Sequence, residues 1–176
     1  VRLTKQVIQQ FCDTSEEVVY ALSNHDLFLC KGLLDDPGMW RINRNYMPAL
    51  ELQLFRLKEQ RDPIIKLLDL DAFQNLRFVS DSEKFYIGDV YFTHGHIGIN
   101  GARPNFTRAA EVFNDYMQGH THTPGVLHNA TMAGTTSRRD LKYVKGASSW
   151  LGANVLIQPD SSQQLLPIIK DEWQRA

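Results

Sequence analysis

Five of the six histidines fall in three short segments: Ser23-Asn24-His25-Asp26, Thr93-His94-Gly95-His96 and Gly119-His120-Thr121-His122. Each follows a run that reads as a β-strand: Val18 to Leu22, Val90 to Phe92 and, more weakly, Tyr116 to Gln118. Open α/β folds place ligands at loops on the carboxyl ends of sheet strands. Three such loops can meet at one point and deliver imidazoles and an amide oxygen to a metal. That requirement constrains the fold more than any other feature. Imidazole nitrogen suits zinc, iron, manganese and nickel, and an amide or carboxylate oxygen makes a site harder. In an extended His-x-His both side chains share one face of the backbone. The flanking Gly119 lets the chain turn close to a ligand.

The rest of the chain alternates helical and strand patterns. Leu3, Val7 and Phe11 recur at four-residue spacing and predict a helix from Leu3 to Phe11. Glu17 to Leu22 reads as a buried strand, and Leu27 to Leu34 as a short helix. Met47, Leu50, Leu54 and Leu57 mark one face of a further helix. Asp62-Pro63 caps and starts another, running through Leu70. Leu76 to Val79 and Phe85 to Phe92 read as strands joined at Asp81-Ser82-Glu83. Gly95, Gly98 and Gly101 predict a flexible loop, and Phe106 to Tyr116 a helix. Val126 to Met132, Ala153 to Gln158 and Gln164 to Ile169 read as strands, the last two joined by a hairpin at Pro159-Asp160-Ser161-Ser162. The pattern predicts one domain over residues 1–176, an α/β sandwich with helices covering mixed sheets.

Hydrophobic residues make up 43% and charged residues 22%, ordinary for a globular protein. A formal net charge of -1 gives no global argument for nucleic acid, though it leaves room for a local basic patch. Two cysteines, Cys12 and Cys30, form no framework, so a reduced, cytoplasmic compartment is expected. No stretch approaches the apolar length of a membrane helix. Arg138, Arg139, Lys142 and Lys145 cluster late in the chain, with Arg103 and Arg108 further basic residues after His94. Such residues contact phosphate backbones; a solvated face is the competing reading. Trp40, Tyr46, Tyr143 and Trp150 are candidate stacking residues, with core packing preferred for Trp150. No phosphate-cradling Gly-x-x-x-x-Gly-Lys-Ser/Thr loop and no Gly-x-Ser-x-Gly elbow occurs.

The three histidine segments resemble motifs of the calcineurin-like metallophosphoesterases. Asn24-His25-Asp26 looks like the third family motif, with Ser23 where glycine is usual; His94-Gly95-His96 looks like the fourth, and Gly119-His120-Thr121-His122 the fifth. The resemblance spans about Val18 to Ile169 in order and spacing. It implies that Asn24, His94 and His120 bind one metal and His122 a second. The ions would be two divalent metals, Mn²⁺ or Fe/Zn. It implies that His25 is the acid–base residue. The residues themselves place Asp26 to orient its ring, and His96 to bind the substrate phosphate or support His94. Arg103, Arg138 and Arg139 are then candidate substrate contacts. Two earlier family motifs, Asp-x-His and Gly-Asp-x-x-Asp, have no counterpart before Ser23. The chain is therefore expected to be the latter part of a longer protein. An upstream segment or a complementary chain would supply the aspartates. The tail from Gly119 through Trp150 to Ile169 looks like that of phage and bacterial DNA-associated phosphoesterases. The expected activity is a phosphodiesterase or nuclease on DNA or RNA. A phosphomonoesterase, or a non-catalytic module retaining the fold, is the alternative.

Overall fold

A computed structural model describes residues 1–35, 46–80, 83–136, 147–169 and 172–173. The chain divides into two compact units, residues 1–80 and 81–176. Helices, a parallel strand pair and a mixed sheet put it in the α/β class. Among the described residues no helix is long and apolar enough to cross a membrane.

The first unit opens with the helix Arg2–Thr14, followed by strand β1, Val18–Ala21. The helix Asn24–Asp35 leaves the end of that strand. Two more helices follow, Tyr46–Glu59 and Pro63–Leu68, then a single 3-10 turn at Leu70–Ala72. Strand β2, Leu76–Val79, returns parallel to β1 with Val18 opposite Leu76 and Ala21 opposite Val79. The start of Pro63–Leu68 is set by Asp62, whose carboxylate accepts the Ile64 amide at 2.9 Å while proline occupies the first turn, where its missing N–H costs nothing. Asn75 donates to the carbonyls of Cys12 and Ser15, each at 2.8 Å, and so ties β2 to the end of the first helix.

The core of this unit is Ile8, Leu22, Ile64, Ile65, Leu68 and Leu70, with Cys12 packed against it. Both helices form where their spacing predicts them. The stripe Leu3, Val7 and Phe11 faces outward, with Leu3 73% and Phe11 56% exposed, while Ile8 is 7% exposed. In Tyr46–Glu59 the buried residues are Ala49 and Leu52, and Met47, Leu54 and Leu57 are exposed. The first helix meets the core through Ile8 and Cys12, and Tyr46–Glu59 through Ala49, Leu52 and Phe55.

The second unit is built on a five-stranded sheet of order β3-β4-β5-β7-β6. Strands β3 (Phe85–Ile87) and β4 (Val90–Thr93) form an antiparallel hairpin about Gly88-Asp89, where one continuous strand was expected. From β4 the chain passes through a 3-10 turn, Ile99–Gly101, and the helix Phe106–Val112 into β5 (Tyr116–Gln118), which lies parallel to β4. This is the βαβ crossover that parallel pairing requires. The helix ends at Val112, short of the expected Tyr116. Strands β6 (Gly125–Leu127) and β7 (Ala130–Met132) form a second hairpin whose turn, His128-Asn129, splits what reads as one run. His128 sits there with φ +52°. Strand β7 is parallel to β5. Three central strands therefore point their carboxyl ends the same way, and an antiparallel strand closes each edge.

Ala109 on the crossover helix packs with Tyr116 and Ala130 of the sheet, with Tyr91, Phe106 and Phe113 around them. A separate antiparallel sheet, β10-β9-β8, completes the unit: β8 is Gly152–Ile157, β9 Gln163–Ile169 and β10 Glu172–Trp173. The hairpin at Pro159 to Ser162 forms where expected. Its turn is closed by Asp160, which accepts from the Ser162 amide and hydroxyl, and these bonds hold its carboxyl below the usual carboxylate range.

Candidate metal centre

Strands β4 and β5 are hydrogen-bonded neighbours, so the segments that follow them start side by side. His94 and His96 come from the first, His120 from the second. The three rings gather there: His94 lies 5.4 Å from His96 and 5.3 Å from His120 between ring centres, and His96 lies 6.3 Å from His120. Two imidazoles sharing one tetrahedral ion through bonds of roughly 2 Å have ring centres about 5 Å apart. The His94–His120 and His94–His96 spacings fit that geometry. A third donor does not converge: among the described residues no group of three His, Cys, Asp or Glu side chains is placed to hold a metal. His94 with either neighbour supplies two donors, short of a metal site among the described residues.

The local backbone explains which rings meet. Gly95 takes φ +88°, and its amide donates to Thr93 Oγ1 at 3.3 Å, folding the chain so that two imidazoles one residue apart approach each other. A Cβ on Gly95 would fall 2.9 Å from that of Gln118, so both the torsion and the space demand glycine. The loop beyond is tight, because Gly98 packs against the Arg103 carbonyl and donates to Ala102 at 2.9 Å. Gly119 is different. A Cβ there would lie 3.7 Å from the His94 carbonyl oxygen, an ordinary contact, so the turn into His120 does not depend on glycine at that position.

His120-Thr121-His122 is not extended. His120 has φ +68° and His122 φ +61°, and the Thr121 amide donates back to the Gly119 carbonyl at 2.9 Å. Left-handed backbone at two non-glycine residues is uncommon and collects at functional sites. It also separates the pair: His120 turns to His94, whereas the His122 ring sits edge-on against Trp150 at 4.3 Å. The shared-face geometry expected for this His-x-His is absent. The segment carrying Trp150 is drawn in by backbone bonds from Leu151 to the His122 carbonyl and from Thr135 to the Leu151 carbonyl.

Asn24, His25 and Asp26 belong to the first unit and form the first turn of Asn24–Asp35. Ser23 and Asp26 make a capping box: the Asp26 amide donates to Ser23 Oγ at 3.2 Å, and the Ser23 amide and hydroxyl both donate to Asp26 Oδ2 at 2.9 Å. Tyr20 donates to the other carboxylate oxygen at 3.1 Å. Asp26 therefore accepts from Ser23 on one oxygen and from Tyr20 on the other. Ser23 supplies the cap. Burial first, then the Asp26 charge and hydrogen bond, push the Tyr20 phenol far above its ordinary range. His25 is exposed, its ring 5.7 Å from that of Phe28.

Arg103 is exposed on the loop before Phe106–Val112, and Arg108 pairs with Glu111 at 2.9 Å. Arg138, Arg139, Lys142, Lys145, Trp40 and Tyr143 lie outside the described residues. Sequence reasoning missed Gln118. It is 2% exposed, accepts the Tyr116 hydroxyl at 2.8 Å and abuts Gly95 directly before Gly119-His120. An amide in an otherwise apolar three-residue strand was the available signal.

No family model matches the chain, and no solved structure matches it. It is 26% identical over 177 residues to Protein A1 of Escherichia phage T5, a match covering 93% of this chain. The chain spans 31% of that protein's length.

Proposed function

We propose that this chain is the latter part of a metallophosphoesterase-type α/β sandwich and contributes to a metal-dependent phosphodiesterase acting on DNA or RNA. The observation that carries the reading is the approach of the His94 ring to those of His96 and His120 at adjacent, parallel strand ends, each of these two pairs at a spacing suited to a shared ion. In this reading Asn24, His94, His120 and His122 are ligands and His25 is the acid. The Asn24 and His25 assignments rest on the motif resemblance, because those residues lie in the other unit. Two divalent ions, Mn²⁺ or Fe/Zn, would polarise the phosphoryl oxygens and lower the pKa of an attacking water. His25 protonates the leaving oxygen as the general acid. His96 meets the substrate phosphate.

The ligands on this chain are all neutral, so charge compensation for two adjacent dications calls for carboxylates. The proposal therefore includes an additional segment or chain that brings aspartates. Strand β1 has β2 as its single partner among the described residues, which leaves an edge for such a segment to pair with.

The test is metal analysis of the intact protein, together with its turnover of plasmid, single-stranded DNA and p-nitrophenyl phosphate. His120→Ala should lose metal and turnover, and His25→Ala should lose turnover alone. Equal metal loss in both variants would overturn the assignment of His25. Hydrolysis confined to p-nitrophenyl phosphate would move the substrate to a phosphomonoester. Purified residues 1–176 holding two tightly bound ions would remove the need for a further segment.

A further inference from the structure

A cavity of about 360 Å³ lies on the helix-covered side of β4 and β5, beside the turn that carries His94 and His96. Tyr91 and Thr93 on one strand and Tyr116 and Gln118 on the other alternate toward this side, and Phe113 closes it from the end of the helix. Gly95 is part of the wall, so the cavity and the histidine cluster share a peptide. Its chemistry is mixed. Tyr91 and Phe113 pack at 4.7 Å and Phe113 stacks on Tyr116 at 5.3 Å, giving an aromatic wall. Two polar residues are also part of the lining: Asn100, at φ +57° on the 3-10 turn, and Lys84.

We propose that this cavity takes one unpaired nucleobase of the substrate strand, next to a phosphate held at the histidine cluster. The inference rests on the phosphodiesterase reading and names its substrate as single-stranded or locally unpaired nucleic acid. Size is the first argument, since ligand pockets begin at roughly 300 Å³ and a cavity this small admits one ring system, not a base pair. The second is composition: a flat ring stacks on aromatic side chains whatever its identity, and a carboxamide and an ammonium can meet the donors and acceptors on its edge. Reaching such a pocket from a duplex would require the base to leave the stack.

The test uses the ¹⁵N-labelled chain, titrated with adenosine, thymidine and inorganic phosphate without added metal. The uncharged nucleosides should shift the amides of Gly95, Gly98 and Asn100 saturably, and phosphate should not. Val112 lines the cavity and is 47% exposed, so Val112→Trp should fill part of it without disturbing the core. That variant should keep its melting temperature and lose nucleoside affinity by about tenfold, the scale of one stacking contact. Unmoved amides, equal shifts with phosphate, or undiminished binding by a folded Val112→Trp would each overturn the proposal. Because neither metal nor turnover is needed, nucleoside binding by a protein that cleaves no phosphoester would sink the activity reading and leave the pocket standing.

Discussion

Gly134→Ala should be the most damaging single methyl in the second unit. The residue follows β7 and crosses the start of β8 at close range. A Cβ there would overlap the Leu151 carbonyl oxygen and lie 2.6 Å from the Ala153 nitrogen and 3.0 Å from its Cβ, where ordinary contacts begin at 3.4 Å. The obstacles are mostly backbone, so no rotamer change relieves them. Moving β8 away also strains two hydrogen bonds, Gly134 to the Ala153 carbonyl and Thr135 to the Leu151 carbonyl, each 3.0 Å. Overpacking costs about 1–3 kcal/mol, and two lost bonds about 1 kcal/mol each, so the sum is about 3–5 kcal/mol. Against a usual total of about 5–15 kcal/mol that is a large share.

Urea unfolding of the full chain should show a lower midpoint with an unchanged slope. The emission of Trp150, isolated by subtracting the Trp150→Phe spectrum, should change as its indole leaves His122. Gly125→Ala is the control, because its Cβ would meet only the Met132 methyl, at 3.5 Å. A Gly134→Ala protein within about 0.5 kcal/mol of the parent, with Trp150 emission unaltered, would refute the reasoning.

Burial raises the Tyr20 and Tyr116 phenols above their unfolded value of 10.0, so each contributes stability that is complete below that pH and is lost as pH rises through the folded value. Tyr20→Phe and Tyr116→Phe should each flatten the alkaline limb of a stability–pH curve; two unchanged limbs would contradict the assignment. In the first helix, Ile8→Ala should cost about 2–5 kcal/mol and Phe11→Ser less than about 0.5 kcal/mol, measured by urea midpoints. The opposite ranking would place the core on the other face.

Local chemistry was legible in the sequence wherever it is self-contained. Asp62-Pro63 announces a helix start because cap and proline act within one turn, and Pro159 to Ser162 announces a hairpin because the turn residues carry the bend. The helix faces were not legible. Leu3, Val7 and Phe11 have the right period, but period does not say which stripe meets the core when the partner surface is unknown. The same holds for Met47, Leu54 and Leu57. At the histidine cluster, the strand ends that bring His94 and His120 together could be read from the segments preceding them. The parting of His120 from His122 could not, because it follows from left-handed torsions at two residues that carry no glycine signal. The three-residue spacing from Ser23 to Asp26 also marks a capping box, a local signal that the reading of Asp26 beside His25 passed over.

The far end of the histidine-bearing sheet has its own restraint. The Gly88-Asp89 and His128-Asn129 turns precede β4 and β7, at the end of the central strands away from the histidines. Both are tethered to the same hairpin of the other sheet: Ser161 accepts the Asp89 amide at 3.1 Å, and Gln163 donates to the Asn129 carbonyl at 2.8 Å. Mechanically this is a clamp across three parallel rods. Sliding β4 along β7 would stretch one tether or the other, so shear that would alter the spacing of His94 and His120 is resisted at the opposite pole. A cut or insertion at Asp160 would release that clamp and loosen the imidazole spacing from a distance, without touching a histidine.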